Sequence, residues 1–509
     1  MEEHQVYDYL RNIRTNASTV KDDIPASIIK EFAAELSSPL ADVINCSIKR
    51  GEYADIWKIE MVTPVPKIYP PRNVTQLRKI SGLKNFSKVT EKIIGDWMLK
   101  DMENNRDQSQ YGNEKGVGVN HYLIKMINEI LKSVDKNSVY EKFAVFCSMV
   151  DWKQAFDRQC PKLGVQSFLK NGVRKSLLPL LINYFQNRKM IVKWHGTEST
   201  QRNLNGGGPQ GALWGILEYL AQSNNNTDYI SPERKFKFID DLSILEVINL
   251  LSIGLSSYNF KFHVASDIPT NGYYIHSPNM ETNNFLDKIS QWTKQNKMML
   301  NKEKTKCMLF NYTNDFQFST RMSIEDTRTE VVNETKLLGV LINNKLSWDS
   351  NTACLVKKAN ARMRLLHKLI EFGVPKEDLR TIYVLFIRSC LEQSCQVWHS
   401  SLTLENLTDL ERVQKNALRI ILQDQYESYE KALKHMEMES LYDRREELCL
   451  SFAIKCTKSK NSQINSMFPL NKSHTTVDTR KSEKYHVQMA HTGRYKDSAI
   501  PYMQRLLNR

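Results

Sequence analysis

Lys235-Phe236-Lys237-Phe238-Ile239-Asp240-Asp241-Leu242-Ser243-Ile244-Leu245 alternates lysine with phenylalanine, stops at two carboxylates and resumes as an apolar run. Alternation with period two predicts a half-buried strand, and the restart after the acidic pair predicts a return strand. The segment therefore reads as a hairpin with carboxylates at its turn. Upstream, Phe143-Ala144-Val145-Phe146-Cys147-Ser148-Met149-Val150 is a short apolar run, a buried-strand candidate that ends at Asp151. A carboxylate at a buried strand end is costly unless it is paired or binds a cation. Hard divalent cations such as Mg²⁺ take oxygen ligands, and two of them about 3.5–4 Å apart can clamp both oxygens of a phosphoryl transfer. Asp240-Asp241 alone also reads as turn chemistry, as Asp22-Asp23 does before Pro25 and a helix. The flanking apolar runs and the matching Asp151 favour a cation site.

Gly206-Gly207-Gly208-Pro209-Gln210-Gly211 lies between the two acidic sites. Glycines let backbone approach a ligand, and Gln210 can donate and accept hydrogen bonds to a base or sugar. A surface turn explains the same loop, which lacks the lysine and the strand–helix setting of the known phosphate-binding glycine motifs.

Outward from these segments, Pro25 suits a first helical position, with Ile28, Ile29, Phe32 and Leu36 following at helical spacing. Met61–Lys67 reads as a strand interrupted by prolines, which suits a sheet edge. Residues 70–73 form a loop, and an amphipathic helix runs from about Ser87 to Leu99. A third strand pair is expected around Cys307–Asn311 and Lys336–Ile342. Beyond residue 350 the period becomes helical: Leu355, Ala359, Met363, Leu366 and Ile370 line one face, Lys357, Arg364 and Lys368 another. A second helix is expected over about Leu407–Leu422, and the last fifty residues read as a loosely attached polar tail.

The 509 residues suggest about three folded units of roughly 150 each. With 41% hydrophobic and 25% charged residues, a disordered or collagen-like chain is excluded. A net charge of +14 points to a polyanionic partner, nucleic acid being the commonest. No run approaches the ~18 apolar residues of a membrane span, so no membrane association is expected. The acidic start, Met1-Glu2-Glu3-His4, is unlike a signal peptide. Nine cysteines without zinc spacing read as free thiols in a reducing compartment. An intracellular protein, nuclear or cytoplasmic, is expected.

The ordered set Asp151 with Ala155-Phe156-Asp157, Gly208-Pro209-Gln210-Gly211 and Phe238-Ile239-Asp240-Asp241 resembles the palm of a reverse transcriptase. Val65-Pro66-Lys67, Leu77-Arg78-Lys79-Ile80-Ser81 and Lys88–Ile94 are similar to fingers motifs of non-LTR (LINE-type, jockey-like) retrotransposon enzymes. So are Gln110-Tyr111-Gly112, Tyr184-Phe185-Gln186-Asn187-Arg188, Leu300-Asn301-Lys302-Glu303-Lys304-Thr305 and Leu337-Leu338-Gly339-Val340. Leu410–Leu418 is similar to a segment downstream of the polymerase in those elements. Three positions depart from the family's usual pattern. Lys79 stands where proline is usual, Ile239 where alanine is usual, and Asn113-Glu114 where Phe-Arg usually follows the glycine.

The resemblance implies an α+β, right-hand polymerase: fingers, a palm of antiparallel sheet plus helices, and a mainly helical thumb. Its expected divisions are an N-terminal helical extension (1–46), a fingers-and-palm domain (47–342), a helical thumb and C-terminal region (343–457) and a polar basic tail (458–509). The implied activity is RNA-directed DNA polymerase: two-metal phosphoryl transfer extends a primer 3′-hydroxyl with dNTPs on an RNA template. Asp151, Asp240 and Asp241 would be catalytic and would hold two Mg²⁺ ions, with Mn²⁺ as a substitute. Lys67, Arg78, Phe156, Gln210 and Lys304 would meet the dNTP, with Phe156 as the aromatic sugar gate and Lys304 near the leaving pyrophosphate. Lys357, Arg364 and Lys368 would hold the RNA template, DNA primer and their RNA–DNA duplex. The alternatives are a catalytically silent nucleic-acid-binding descendant, against which the intact carboxylates argue, and an RNA-dependent RNA polymerase, against which Phe156 argues. The endonuclease domain and zinc knuckle that often accompany such polymerases are not found in these residues.

Overall fold

Phe143–Val150 forms a strand, and its alternate side chains serve two different cores. Val145 and Cys147 face helix Val119–Val134, whereas Ala144, Phe146 and Val150 face helix Glu281–Asn296. Burial on both faces explains why the run is apolar throughout. Strands Lys306–Phe310 and Asp241–Asn249 flank it, both antiparallel, and Lys235–Phe238 lies outside Asp241–Asn249. Short strand Glu330–Val331 completes five strands by pairing parallel with Lys306–Phe310. The computed structural model describes all residues except 17–19, 21, 138–140, 205, 251–272, 275–280, 314–315, 318–322, 325–326 and 471–484.

A second sheet is built from Ile59–Pro66, Leu77–Gly82, Lys189–Trp194, Thr197–Glu198 and Arg202–Asn203. Here the sheet-edge expectation for Met61–Lys67 needs correction, because Ile59–Pro66 lies between two partners. It pairs with Lys189–Trp194 over residues 59–62 and with Leu77–Gly82 over 61–66. Pro64 and Pro66 fall where the first partner has ended, so the prolines occupy a local edge within a central strand. Helix Asn85–Met102 follows, two to three residues longer at each end than the expected helix. The α+β class is as expected, and the central sheet is antiparallel apart from its Glu330–Val331 edge pair.

The third strand pair forms differently from the expectation. Lys306–Phe310 joins the central sheet, while Glu334–Leu337 and Val340–Asn343 make their own hairpin. Leu338 and Gly339 both have positive φ at its two-residue turn, a geometry that closes adjacent strands on each other. At the start of the chain, Pro25 caps Ala26–Glu31 from one position before the helix. Ile29 is buried, but Ile28 and Phe32 stay exposed because the chain breaks at Phe32 before helix Ala33–Arg50. The 46/47 division therefore cuts through one continuous helix.

Helix Asp349–Glu371 buries Leu355, Ala359, Met363 and Leu366, and packs on Leu404–Leu422. Helices Leu441–Thr457 and Ala499–Leu507 pack on each other. The end of the chain is thus not loosely attached. Asp135 accepts from the backbone N–H of His491 (2.8 Å) and of Thr492 (2.8 Å), and Tyr495, Ile500, Met503 and Leu506 are buried. The polar average of the last fifty residues hides these few apolar positions, and part of that tail (471–484) lies outside the described residues.

Candidate active site

Register alone brings the three carboxylates together. Phe238 pairs with Asp241, so the turn consists of Ile239 and Asp240, and Ile239 carries a φ of 57°. Val150 pairs with Leu242, which sets Asp151 beside Asp241 at the same sheet end. All three are partly buried, and burial raises the pKa of each above the ordinary carboxylate range. Asp241 is pushed furthest, to about 7, by burial and then by the charges of Asp240 and Asp151. Three mutually repelling carboxylates at one sheet end suit a divalent cation. Among the described residues, no three Asp, Glu, His or Cys side chains converge closely enough to enclose an ion unaided. That openness fits Mg²⁺, which is typically held by one or two carboxylates plus substrate phosphates.

The expected cations gather around these carboxylates. The charges of Lys304 and Lys67 act on Asp151, and that of Arg78 acts on Asp240. All three lysine and arginine side chains are exposed. Lys67 Nζ donates to the Thr75 carbonyl at 3.1 Å. The 299–305 loop grips Asp151: Asn301 Nδ2 donates to Asp151 Oδ2 (2.7 Å), Asn301 N to its carbonyl (2.8 Å), and Asp151 N donates to Thr305 Oγ1 (3.2 Å). Sequence inspection singled out Lys304 in this motif and missed the two residues that hold Asp151 by hydrogen bonds.

Phe156 is half-buried, with its ring 5.5 Å from that of Tyr219. The glycine loop packs directly on the turn carrying Phe156. Gly208 N donates to the Phe156 carbonyl (2.9 Å), Gly207 N donates to the Gln159 carbonyl (3.1 Å), and a Cβ at Gly208 would sit 2.0 Å from Gln159 Oε1. Gln210 lines a cleft with Ser81, Lys79, Asp157 and Glu60, and its carbonyl accepts from Ser81 N at 2.8 Å. The 206–211 loop thus joins the second sheet, at Ser81, to the turn after Asp151. Lys357, Arg364 and Lys368 lie exposed on helix Asp349–Glu371, away from the carboxylates' own strands, and none pairs with a described carboxylate.

Sequence comparison meets this geometry from another side. The chain is 22% identical over 391 residues to the probable RNA-directed DNA polymerase from transposon X-element of Drosophila melanogaster, covering 74% of this chain and 39% of that protein. It is 20% identical over 432 residues to the probable RNA-directed DNA polymerase from transposon BS of the same species (82% and 44%). The chain resembles non-LTR retrotransposon polymerases. The RNA-directed DNA polymerase from mobile element jockey of Drosophila funebris is 22% identical over 307 residues (59% and 30%). The chain spans less than half the length of these relatives. No family model matches it. Among solved structures, apo telomerase from Candida tropicalis superposes with a TM-score of 0.36 at 12% identity, covering 85% of this chain and 73% of that one.

Two departures from the retrotransposon pattern have partners here. Lys79 Nζ lies 2.8 Å from Asp157 Oδ1, tying the second sheet to the turn after Asp151. Glu114 forms an ion pair with Arg106 across its own loop.

Glu218, on helix Leu213–Ser223, was missed altogether. It is fully buried beneath Gly164 and Gly208, neither carboxyl oxygen has a hydrogen-bond partner, and burial pushes its pKa up to about 8. Between the unfolded value of 4.5 and about 8 the folded protein therefore binds up to one proton more than the unfolded chain. Stability from this group is complete below pH 4.5 and falls between there and pH 8 by about 1.4 kcal/mol per pH unit at most. Glu218→Gln mimics the protonated acid. Denaturant melts across that window are expected to show a flatter pH dependence for the variant, and a gain of a few kcal/mol at pH 8. An unchanged slope would mean that the carboxyl is solvated.

Proposed function

We propose that this chain is an RNA-directed DNA polymerase that adds dNTPs to a primer 3′-hydroxyl on an RNA template. The convergence of Asp151, Asp240 and Asp241 at one sheet end, within electrostatic reach of Lys67, Arg78 and Lys304, carries this reading. Asp151, Asp240 and Asp241 would hold Mg²⁺, which when bound supplies charge stabilisation to the attacking and leaving oxygens of phosphoryl transfer. Asn301 and Thr305 fix the orientation of Asp151. Lys67 and Arg78 meet the incoming triphosphate, and Lys304 the departing pyrophosphate. Phe156 lies under the sugar, and Gln210 contacts the nucleotide and template. The reaction joins the 3′-oxygen to the α-phosphorus, breaks the bond to the β-phosphate bridge and releases pyrophosphate. Primer extension on RNA, with dNTPs and rNTPs offered separately, tests this. Growth with dNTPs alone is expected; growth with rNTPs alone would indicate an RNA polymerase, and binding without growth a silent descendant.

Lys357, Arg364 and Lys368 form the duplex-holding face in this account. Contacts to phosphates release counterions, so log affinity falls with log salt by roughly 0.7 to 0.9 per phosphate neutralised. Replacing all three by Ala is expected to weaken RNA–DNA duplex binding and to flatten that slope by about two to three. Titrations between low and moderate salt read both quantities. An unchanged slope would make this a solvated helix face.

A further inference from the structure

The Ile239–Asp240 turn does not hold its shape by itself. Ile239 has φ of 57°, a left-handed conformation that is costly for a β-branched residue. Gln110 closes around it: its Oε1 accepts from Ile239 N (2.8 Å) and from Gly112 N (2.8 Å), and its Nε2 donates to the Ile239 carbonyl (3.3 Å). Gly112 completes the contact. A Cβ there would lie 2.5 Å from Ile239 N and 2.6 Å from Ile239 Cγ1, so the loop fits this bulkier residue only as glycine. The loop itself is anchored to the strand leading into the turn. Tyr111 N donates to the Lys237 carbonyl (2.8 Å), Lys237 N donates to the Ser109 carbonyl (2.9 Å), and the Lys237 ammonium lies 2.6 Å from Asp107 Oδ2 with Lys235 at 3.5 Å. That ion pair is almost wholly buried.

We propose that Gln110 is a positioning residue: it fixes the Ile239–Asp240 turn so that the Asp240 carboxylate is held ready for a divalent cation. The proposal rests on the polymerase reading only for its kinetic consequence. Gln110 touches no substrate in this account. Two of its three hydrogen bonds act on Ile239, whose carbonyl belongs to the peptide leading into Asp240, and the third braces Gly112 in the same loop. Partners of this kind are commonly worth roughly 10- to 100-fold in metal affinity or activity.

The test compares the wild-type chain with Gln110→Met, which keeps length but loses all three hydrogen bonds, and with Gly112→Ala, which pushes on the same turn by contact. Calorimetric titration with Mn²⁺ alone reads the metal site without any reaction. Single-nucleotide extension at varied Mg²⁺ reads kcat, KM and the half-saturating metal concentration, and melting curves report folding. Both variants are expected to weaken Mn²⁺ binding and lower kcat by roughly tenfold or more. Template–primer affinity and dNTP KM should stay within about threefold, and more Mg²⁺ should be required. A lowered melting temperature with unchanged Mn²⁺ affinity and unchanged kcat per folded molecule would overturn the proposal, leaving Gln110 a structural residue. Wild type that binds Mn²⁺ but extends nothing would overturn the polymerase reading alone, and the Mn²⁺ comparison would still decide on Gln110. Wild type that binds no Mn²⁺ would overturn both.

Discussion

Asp151→Asn and Asp240→Asn are each expected to abolish primer extension while template–primer affinity stays within a few-fold. Both side chains sit at the end of the central sheet where two of its strands end side by side, and neither contributes to the apolar cores beneath them. Amide replacement keeps shape, removes one negative oxygen donor and lessens the repulsion that, after burial, helps to raise the pKa of Asp241. The fold should therefore tolerate the change. Charge stabilisation by a bound metal is worth several kcal/mol in the transition state, so a loss of about 4 kcal/mol would lower the rate roughly a thousandfold. Extension rates in Mg²⁺, with duplex binding measured on the same preparations, provide the check. Near wild-type extension by either variant would remove the carboxylate from the reaction.

Replacing Phe156 with Val is expected to raise rNTP use relative to dNTP use by orders of magnitude while dNTP extension remains measurable. The ring follows Asp151 by five residues, in a turn fastened by Gly208 N to the Phe156 carbonyl and by the Lys79–Asp157 pair. Placed under the sugar as proposed, it would offer no hydrogen-bond partner and no room to a 2′-hydroxyl, and ribonucleotides would be rejected by clash and by desolvation. The competing role is packing against Tyr219. Truncating a fully buried Phe costs about 3–5 kcal/mol, and half-burial here should lower that figure. A selector alters the rNTP/dNTP efficiency ratio with a modest change in melting temperature. A packing residue lowers both activities together and leaves the ratio alone.

Much of this site was legible because its elements announce themselves locally. The 143–150 strand is bounded as its apolar run is bounded, and the Lys235–Leu245 alternation turned out to be a hairpin with Asp240 in its turn. Helix Asp349–Glu371 buries four of the five side chains that its spacing marked, with Ile370 only partly covered. What stayed hidden depends on long-range pairing. Residues 306–310 carry a strand signal, but nothing local says that they join Phe143–Val150 instead of the next hairpin. Pro64 and Pro66 suggested an edge because sequence cannot show that one partner stops at residue 62. Asn301, Thr305 and Gln110 are ordinary polar residues until the fold sets them against Asp151 and Ile239. Glu218 looked like one more helical glutamate, and only its burial distinguishes it.

The most direct measurement is the sequence of the strand that the wild-type chain makes from a defined, heteropolymeric RNA template, one annealed DNA primer, all four dNTPs and Mg²⁺. The account predicts a DNA extension complementary to the template base for base, absent when the metal is chelated and absent with Asp240→Asn. No extension by a folded, duplex-binding preparation, or a tail whose sequence ignores the template, would contradict it.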